Sequence, residues 1–285
     1  MSSINTLEIR NLTKNFGGRN VVDGISFSVP ENCVFGFIGA NGAGKTTTMK
    51  MVLGLLAADS GEIDICGERV SFGATRTNRL VGYLPDVPEF YNYMRPKDYL
   101  KLCGEIVGMS NASIKKRSEE LLSLVGLSDA NKKIGGFSRG MKQRLGMAQA
   151  LLGEPKLLIC DEPTSALDPL GRREILDILK QIKGKTTVIF STHILSDVER
   201  ICDRVAVISS GKITLEKAMS ELKVQHTTRA MTIEFENEVD SDEVMRVLNE
   251  NNFAPTSYET PATSIEDMFL AAGKSSPAQP EVVTK

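Results

Sequence analysis

The chain has 285 residues, long for a single core and suited to one large domain with an appendage or to two modest domains. Its 41 % apolar and 25 % charged content is that of a globular protein, while a formal net charge of −2 argues against nucleic acid as a partner, because neutralising phosphates needs a basic surface. No apolar run approaches the ~18 to 20 residues that span a bilayer, no basic and apolar leader opens the chain, and five cysteines without a C-x-x-C pair read as reduced thiols of a cytosolic protein rather than a disulfide framework or zinc site.

In chain order, strands are predicted at 7–10 and 25–29, with Phe16 between them in "LTKNFGG". A wholly apolar strand at 34–38 then runs into Gly39, Ala40, Asn41, Gly42, Ala43, Gly44, Lys45, Thr46 and Thr47, and a helix is predicted from 45 to 56. G-x-x-x-x-G-K-(S/T) between a strand and a helix is a phosphate loop. Glycines 39, 42 and 44 let consecutive N–H groups face a β-phosphate, Lys45 bridges β- and γ-phosphate oxygens, and Thr46 offers its hydroxyl to Mg²⁺. A glycine turn that binds nothing is the competing reading, and the flanking strand and helix weigh against it.

Strands at 62–65 and 79–84 lead to "VGYLPDVPEF". Helices at 97–108 and 113–125 then follow without an intervening strand, so a helical insertion is expected at about 88–135. A further helix, 139–152, opens at "GGFSRGM". Its first turn has free N–H groups, a partial positive charge of roughly half a unit and the Ser138 hydroxyl, which together suit an anion. An ordinary N-cap by Ser138 would account for the same residues.

The strand at 156–160 ends in "CDEP", which puts Asp161 at the C-terminal edge of a sheet, where α/β folds gather their ligands. A carboxylate buried there needs a cation, and the Mg²⁺ of the phosphate loop would supply one. Glu162 would then point at the γ-phosphate and take a proton from the attacking water. After a helix at 169–182, the strand 186–190 leads to His193 at the same edge, suited to a hydrogen bond with a γ-phosphate oxygen or to a structural one. A helix at 194–202 and a strand at 204–209 follow, and the turn "SSGK" is expected to close the last core strand. Strands alternating with helices predict an α/β fold with a parallel sheet in the region 1–219. Residues 220–272 read as a small α+β appendage: "RAMTIEFE" alternates like a strand, "SDEVMRVLNENN" like a helix, and Ser264 with Asp267 forms a capping-box pattern. The polar tail 273–285 is expected to be disordered.

Four motifs thus stand in one order: the phosphate loop, "FSRGM", "LLICDEP" with "SALD", and the histidine strand. Their set resembles the nucleotide-binding subunit of an ABC transporter, over residues 4 to about 215. The resemblance implies a P-loop NTPase fold of the ABC ATPase type, with a RecA-like core and a mixed sheet, and it implies ATP and Mg²⁺ as ligands. It also implies a head-to-tail dimer, of identical or related chains, in which Ser138, Arg139 and Gly140 meet the ATP held by the partner. Ser165, Ala166, Leu167 and Asp168 would meet the opposing phosphate loop, and Phe16 would stack on adenine. Three positions depart from the family pattern, one of them Met141, which stands where the signature usually has glutamine. Asp86 replaces the usual glutamine, either as a magnesium ligand or as a turn cap, and Arg139 replaces the second signature glycine. Residues 229–272 further resemble the extension of ATPase subunits serving ABC-2 type exporters.

The function implied is ATP hydrolysis that powers translocation, by export, through a separate polytopic permease, with this chain peripheral on the inner face of the membrane. If exposed, Phe90, Tyr91 and Tyr93 would line a groove for a cytoplasmic helix of that permease. The alternative is a soluble ABC-type ATPase acting as a nucleotide-dependent binding switch. A phosphate-loop kinase or GTPase leaves Ser138 and "SALD" without a task, and "NKK" at 131–133 lacks the following acid of a guanine-recognition motif.

Overall fold

The computed structural model describes residues 5–74, 76–224, 246–248, 250 and 251. In chain order, β1 (Asn5–Phe16) and β2 (Arg19–Pro30) form a hairpin, β3 (Val34–Ile38) leads to α1 (Lys45–Val52), and β4 (Ser60–Ile65) and β5 (Glu68–Arg69) follow. After a 3₁₀ turn at Arg76–Leu80 come β6 (Val81–Leu84), α2 (Pro96–Ile106), α3 (Asn111–Leu124) and α4 (Arg139–Leu151). The chain continues with β7 (Leu157–Asp161), α5 (Pro169–Ile182), β8 (Thr187–Thr192), α6 (Leu195–Ile201), β9 (Arg204–Ser209), β10 (Lys212–Ala218) and α7 (Met219–Val224).

Four strands form an antiparallel sheet ordered β2-β1-β4-β5, and six form a second sheet ordered β10-β9-β3-β8-β7-β6. In the second sheet β6, β7, β8, β3 and β9 are parallel and only β10 runs against its neighbour. Every residue of β3, β7 and β8 is buried, as parallel strands covered on both faces require. The two sheets and α1 enclose the main core. Phe27 of the antiparallel sheet stacks on Phe35 and Phe37 of β3, with ring centroids 5.6 and 5.2 Å apart. Truncating one of these rings would cost about 3–5 kcal/mol.

The helical insertion has the capping chemistry its sequence carries. Pro96 opens α2 at a position whose N–H is unpaired in any helix, and Ser110 caps α3 by accepting from the Ser113 amide at 3.2 Å. α2 lies close on α3 at Gly104, where an added Cβ would stand 2.6 Å from Ile114.

Three expectations are corrected. The strand predicted at 79–84 begins at Val81, because Arg79 and Leu80 close the 3₁₀ turn. The "SSGK" turn does not end the core sheet; it is the hairpin between β9 and β10, with Ser210 and Gly211 at φ 47° and 80°. β10, like the two-residue β5, lacks a fully buried face, so its hydrophobic pattern is weak and backbone pairing alone defines it. α1 also stops four residues early, where Gly54 takes a left-handed conformation.

The chain divides into two compact units, Met1–Met219 and Ser220–Lys285. Of the predicted helix at 241–252, residues 246–248 and 250 are helical. The predicted strand at 229–236, the capping box at Ser264 and Asp267, and the tail lie outside the described residues.

Candidate nucleotide site

Register sets the site. Ile38 pairs with Thr192, Asp161 with Ser191, and Cys160 with Leu84. The loops that begin at Gly39, Pro85, Glu162 and His193 therefore leave the parallel strands at one C-terminal edge, and each carries residues singled out by the sequence.

The phosphate loop spans Gly39 to Gly44. Gly44 sits at φ 110° as the N-cap of α1 and offers no side-chain cap, so the first N–H groups of the helix face outward unclaimed by any cap. A Cβ on Gly44 would also come within 2.7 Å of Val21 O, which fixes this end of the loop against β2. Lys45 is 4 % exposed, and its ammonium donates to Gly39 O at 2.7 Å and Ala40 O at 3.2 Å. A buried cation held in a glycine-rich loop next to a bare helix N-terminus is an anion cradle. Thr46 and Asn41 are exposed beside it.

The acids meet the cradle from β7. Asp161 is 4 % exposed and accepts from the Ser191 hydroxyl at 2.6 Å, while the same oxygen accepts from the Glu162 amide at 2.9 Å. Glu162 itself holds φ 47°, a strained conformation for a residue with a side chain. The strain aims its carboxylate: Oε1 lies 3.0 Å from Lys45 Nζ and Oε2 lies 3.0 Å from His193 Nδ1. Because an ionised carboxylate only accepts, Nδ1 carries the proton in this pair. His193 can then donate to a phosphate oxygen through Nε2 only with both nitrogens protonated.

A magnesium ion fits this donor set in a limited way. The available oxygens are one hydroxyl, Thr46, and one anchored carboxylate, Asp161, and among the described residues no group of three His, Cys, Asp or Glu could hold a metal. That is the composition of a site in which phosphates and water complete the shell of a hard cation. Asp86, expected at the metal or as a turn cap, has other partners here. Its carboxylate accepts from the Ser165 hydroxyl and lies 3.5 Å from the Arg139 guanidinium. The half-buried Tyr83 hydroxyl is pushed up to about 12, first by burial and then by Asp161, Cys160 and Asp86.

Ser138 is the N-cap of α4 and accepts from the Met141 amide at 3.3 Å, so the plain capping role is present. Its hydroxyl remains exposed, and a Cβ placed on Gly140 would meet nothing within 4 Å, which leaves open space over the first turn. Gly135 is different: its amide donates to Asn92 O at 3.0 Å and a Cβ would press on that carbonyl, so its small size serves packing within the chain. Arg139, whose direction the sequence left open, is half exposed and turned towards Asp86.

In the "SALD" segment Ala166 has φ 49°, and Asp168 caps α5 by accepting from the Gly171 amide at 3.0 Å. Leu167 is half buried. Phe16 stands exposed at the hairpin tip with Lys14 Nζ 5.3 Å from its ring centre. Of the three aromatics before α2, Phe90 is packed edge-on against Tyr99 and is not part of an exposed face. Tyr91 and Tyr93 are exposed and lie 5.9 Å apart.

Two supports escaped the sequence reading. Ser191 joins both acids, and Asp197, 1 % exposed, accepts from Thr164 Oγ1 at 2.7 Å and Arg172 Nε at 2.6 Å. That network ties the segment after Glu162 to α6, the helix after His193. The only sequence signal was an acid within the first turn of a short helix, which reads as ordinary dipole compensation.

Comparisons with known proteins identify the family. A family model described as ABC transporter matches residues 22–165. The uncharacterised ABC transporter ATP-binding protein YxlF of Bacillus subtilis is 45 % identical over 228 residues, covering 80 % of this chain and 76 % of that one. The bacitracin transport ATP-binding protein BcrA of Bacillus licheniformis is 35 % identical over 277 residues, covering 96 % and 87 %. A solved structure described as the ATP binding subunit of an ABC transporter superposes with TM-score 0.70 at 31 % identity, over 86 % of this chain and 99 % of its own. The phosphate loop, the paired acids and these likenesses lead to one statement: the chain belongs to the ABC transporter family, as an ATP-binding subunit with ATPase activity.

Proposed function

We propose that the subunit binds MgATP between its own Gly39–Thr47 loop and the Ser138 helix of a second subunit, hydrolyses it with Glu162 as the base, and so drives a separate polytopic permease. The observation that carries this reading is the Glu162 carboxylate, held between Lys45 and His193 at the mouth of the phosphate cradle. When phosphate enters the loop, Lys45 exchanges the carbonyls of Gly39 and Ala40 for phosphate oxygens and keeps its charge paired. Thr46 and Asp161 are the residues for Mg²⁺, which when bound would neutralise charge on the β- and γ-phosphates. Ser138 accepts from Met141 and so retains its own proton to donate to the partner's nucleotide, with Gly140 leaving room. Ser165 to Asp168 would face the opposing phosphate loop. Asp86 has a different task, argued below.

Likeness to a bacitracin transport protein supports export of a peptide-like or amphiphilic compound as the direction of work. No described helix is long and apolar enough to cross a membrane, which suits a subunit that reaches the bilayer through a partner. Exposed Val87, Tyr91 and Tyr93 would receive that partner's cytoplasmic helix.

The test is a Glu162→Gln protein supplied with ATP and Mg²⁺. It should hydrolyse ATP at least ~10²-fold more slowly and sediment as a nucleotide-trapped dimer. A protein that stays monomeric at high concentration would overturn the two-subunit site. Co-purification of wild-type protein with a polytopic membrane protein separates the transporter from the soluble switch.

A further inference from the structure

Two of the positions that depart from the family pattern, Asp86 and Arg139, lie against each other. Asp86 follows β6 and Arg139 is the first residue of α4, 53 positions later, yet the guanidinium lies 3.5 Å from Asp86 Oδ1, and the Ser165 hydroxyl donates to the same oxygen. One carboxylate therefore holds a residue of the "SALD" segment and the head of the signature helix together.

The chemistry explains why both departures belong to one device. A cation at the first position of a helix opposes the helix dipole, so Arg139 is unfavourable there without an anion nearby. An acid in place of an amide at position 86 likewise adds a negative charge at the strand edge that carries Asp161 and Glu162, which a nearby cation offsets. Each charge alone is out of place here, and the pair sets one against the other. Ser165, which donates its hydroxyl to Asp86, also donates its amide to Glu162 O at 3.0 Å, and this ties position 86 to the turn that carries the catalytic carboxylate.

We infer that Asp86 is a positioning residue: through Arg139 and Ser165 it fixes the signature helix relative to the loop that carries Glu162, and so sets how readily the subunit closes on a nucleotide held by its partner. This rests on the two-subunit reading above. No step of the chemistry is assigned to it. Lys45, Asp161 and Glu162 are engaged with one another, His193 or Ser191, and Arg139 is the cation that the structure pairs with Asp86.

The experiment is a double-substitution cycle with Asp86→Asn, Arg139→Gln and both together, accompanied by Asp86→Glu and Ser165→Ala. Asparagine retains an acceptor for Ser165 and removes only the charge. Two readouts are taken. In the nucleotide-free chain, amide hydrogen exchange at residues 141–144, the first hydrogen-bonded amides of α4, should rise at least threefold in each single variant and no further in the double. In steady-state hydrolysis, the protein concentration for half-maximal specific activity should rise at least threefold in each single variant and no further in the double, with Asp86→Glu restoring both readouts and Ser165→Ala giving a smaller rise.

Independent, multiplying effects of the two substitutions, or exchange unchanged from wild type, would overturn the inference. A wild-type protein that hydrolyses ATP without any dependence on its own concentration would instead overturn the two-subunit reading, and the exchange readout would still decide the pairing of Asp86 with Arg139.

Discussion

Ser191 supports Asp161 and Glu162 with one hydroxyl, donating to the Asp161 carboxylate at 2.6 Å while accepting from the Glu162 amide at 2.9 Å. Both acids therefore depend on a residue that is wholly buried on the neighbouring strand. Ser191→Ala should cost about 1–3 kcal/mol of stability, the penalty for leaving a buried donor and acceptor unmade. It should also lower kcat for ATP by roughly tenfold or more, because Glu162 loses the bond that holds its strained backbone. Thermal melts and steady-state ATPase assays on the same preparation check both, and a kcat equal to wild type would remove Ser191 from the site.

Asp197 is the more severe structural site. Its carboxylate accepts from Thr164 and Arg172 while almost fully buried, so Asp197→Ala leaves the Thr164 hydroxyl unpaired and the Arg172 guanidinium without its anion, with only the Ser196 hydroxyl as a remaining acceptor among the described residues. A loss of about 3–5 kcal/mol is expected, read from the denaturant midpoint, whereas Asp197→Asn should lose less.

Phe16 is exposed at the tip of a hairpin whose second strand packs on Gly44 of the phosphate loop. If it stacks on adenine, Phe16→Ala should raise the Kd for ATP about three- to tenfold, and Phe16→Tyr should leave it within twofold, since either ring offers the same face. Titration with a fluorescent ATP analogue measures this. Equal affinity in the alanine variant would assign the ring to the surface.

Alkaline pH should destabilise the fold through groups that burial keeps protonated. Cys33 is pushed from its ordinary 9.0 up to about 11, first by burial and then by Asp203, and Tyr83 from 10.0 up to about 12. A raised acid of this kind contributes its stability fully below the unfolded value, and that contribution is lost as pH climbs towards the folded one. The Tm should therefore fall between pH 9 and 11 for Cys33 and between 10 and 12 for Tyr83. Cys33→Ala and Tyr83→Phe should each flatten the decline in a melt series, and an unchanged slope in both would contradict the burial of these groups.

Much of the site was legible in the sequence because its signals are local. A phosphate loop needs glycines at fixed spacing between a strand and a helix, so Gly39 to Thr46 declare themselves in eight residues. Asp161 and Glu162 were legible because four apolar residues precede them, which places an acid at the end of a buried strand whatever the rest of the chain does. Ser138 was legible only in part: a capping serine and a phosphate-binding serine look alike until the chain around them is known, and the described hydroxyl does cap its helix while remaining exposed.

Other features depend on contacts between distant segments. Asp86 and Arg139 each look like an isolated departure in sequence, and only the packing of α4 beside β6 brings them to 3.5 Å. Ser191 and Asp197 carry no local signature, because a serine in a strand and an acid in a first helical turn are commonplace, and their partners lie 25 to 33 positions away. β10 was missed because an edge strand without a buried face has no hydrophobic rhythm, only a backbone ladder to β9. Local spacing thus determined which chemistry the chain carries, since glycine turns and strand ends are short-range properties. The tertiary structure alone decided which residues hold that chemistry in place, since hydrogen bonds and ion pairs act through space and leave no period in the chain.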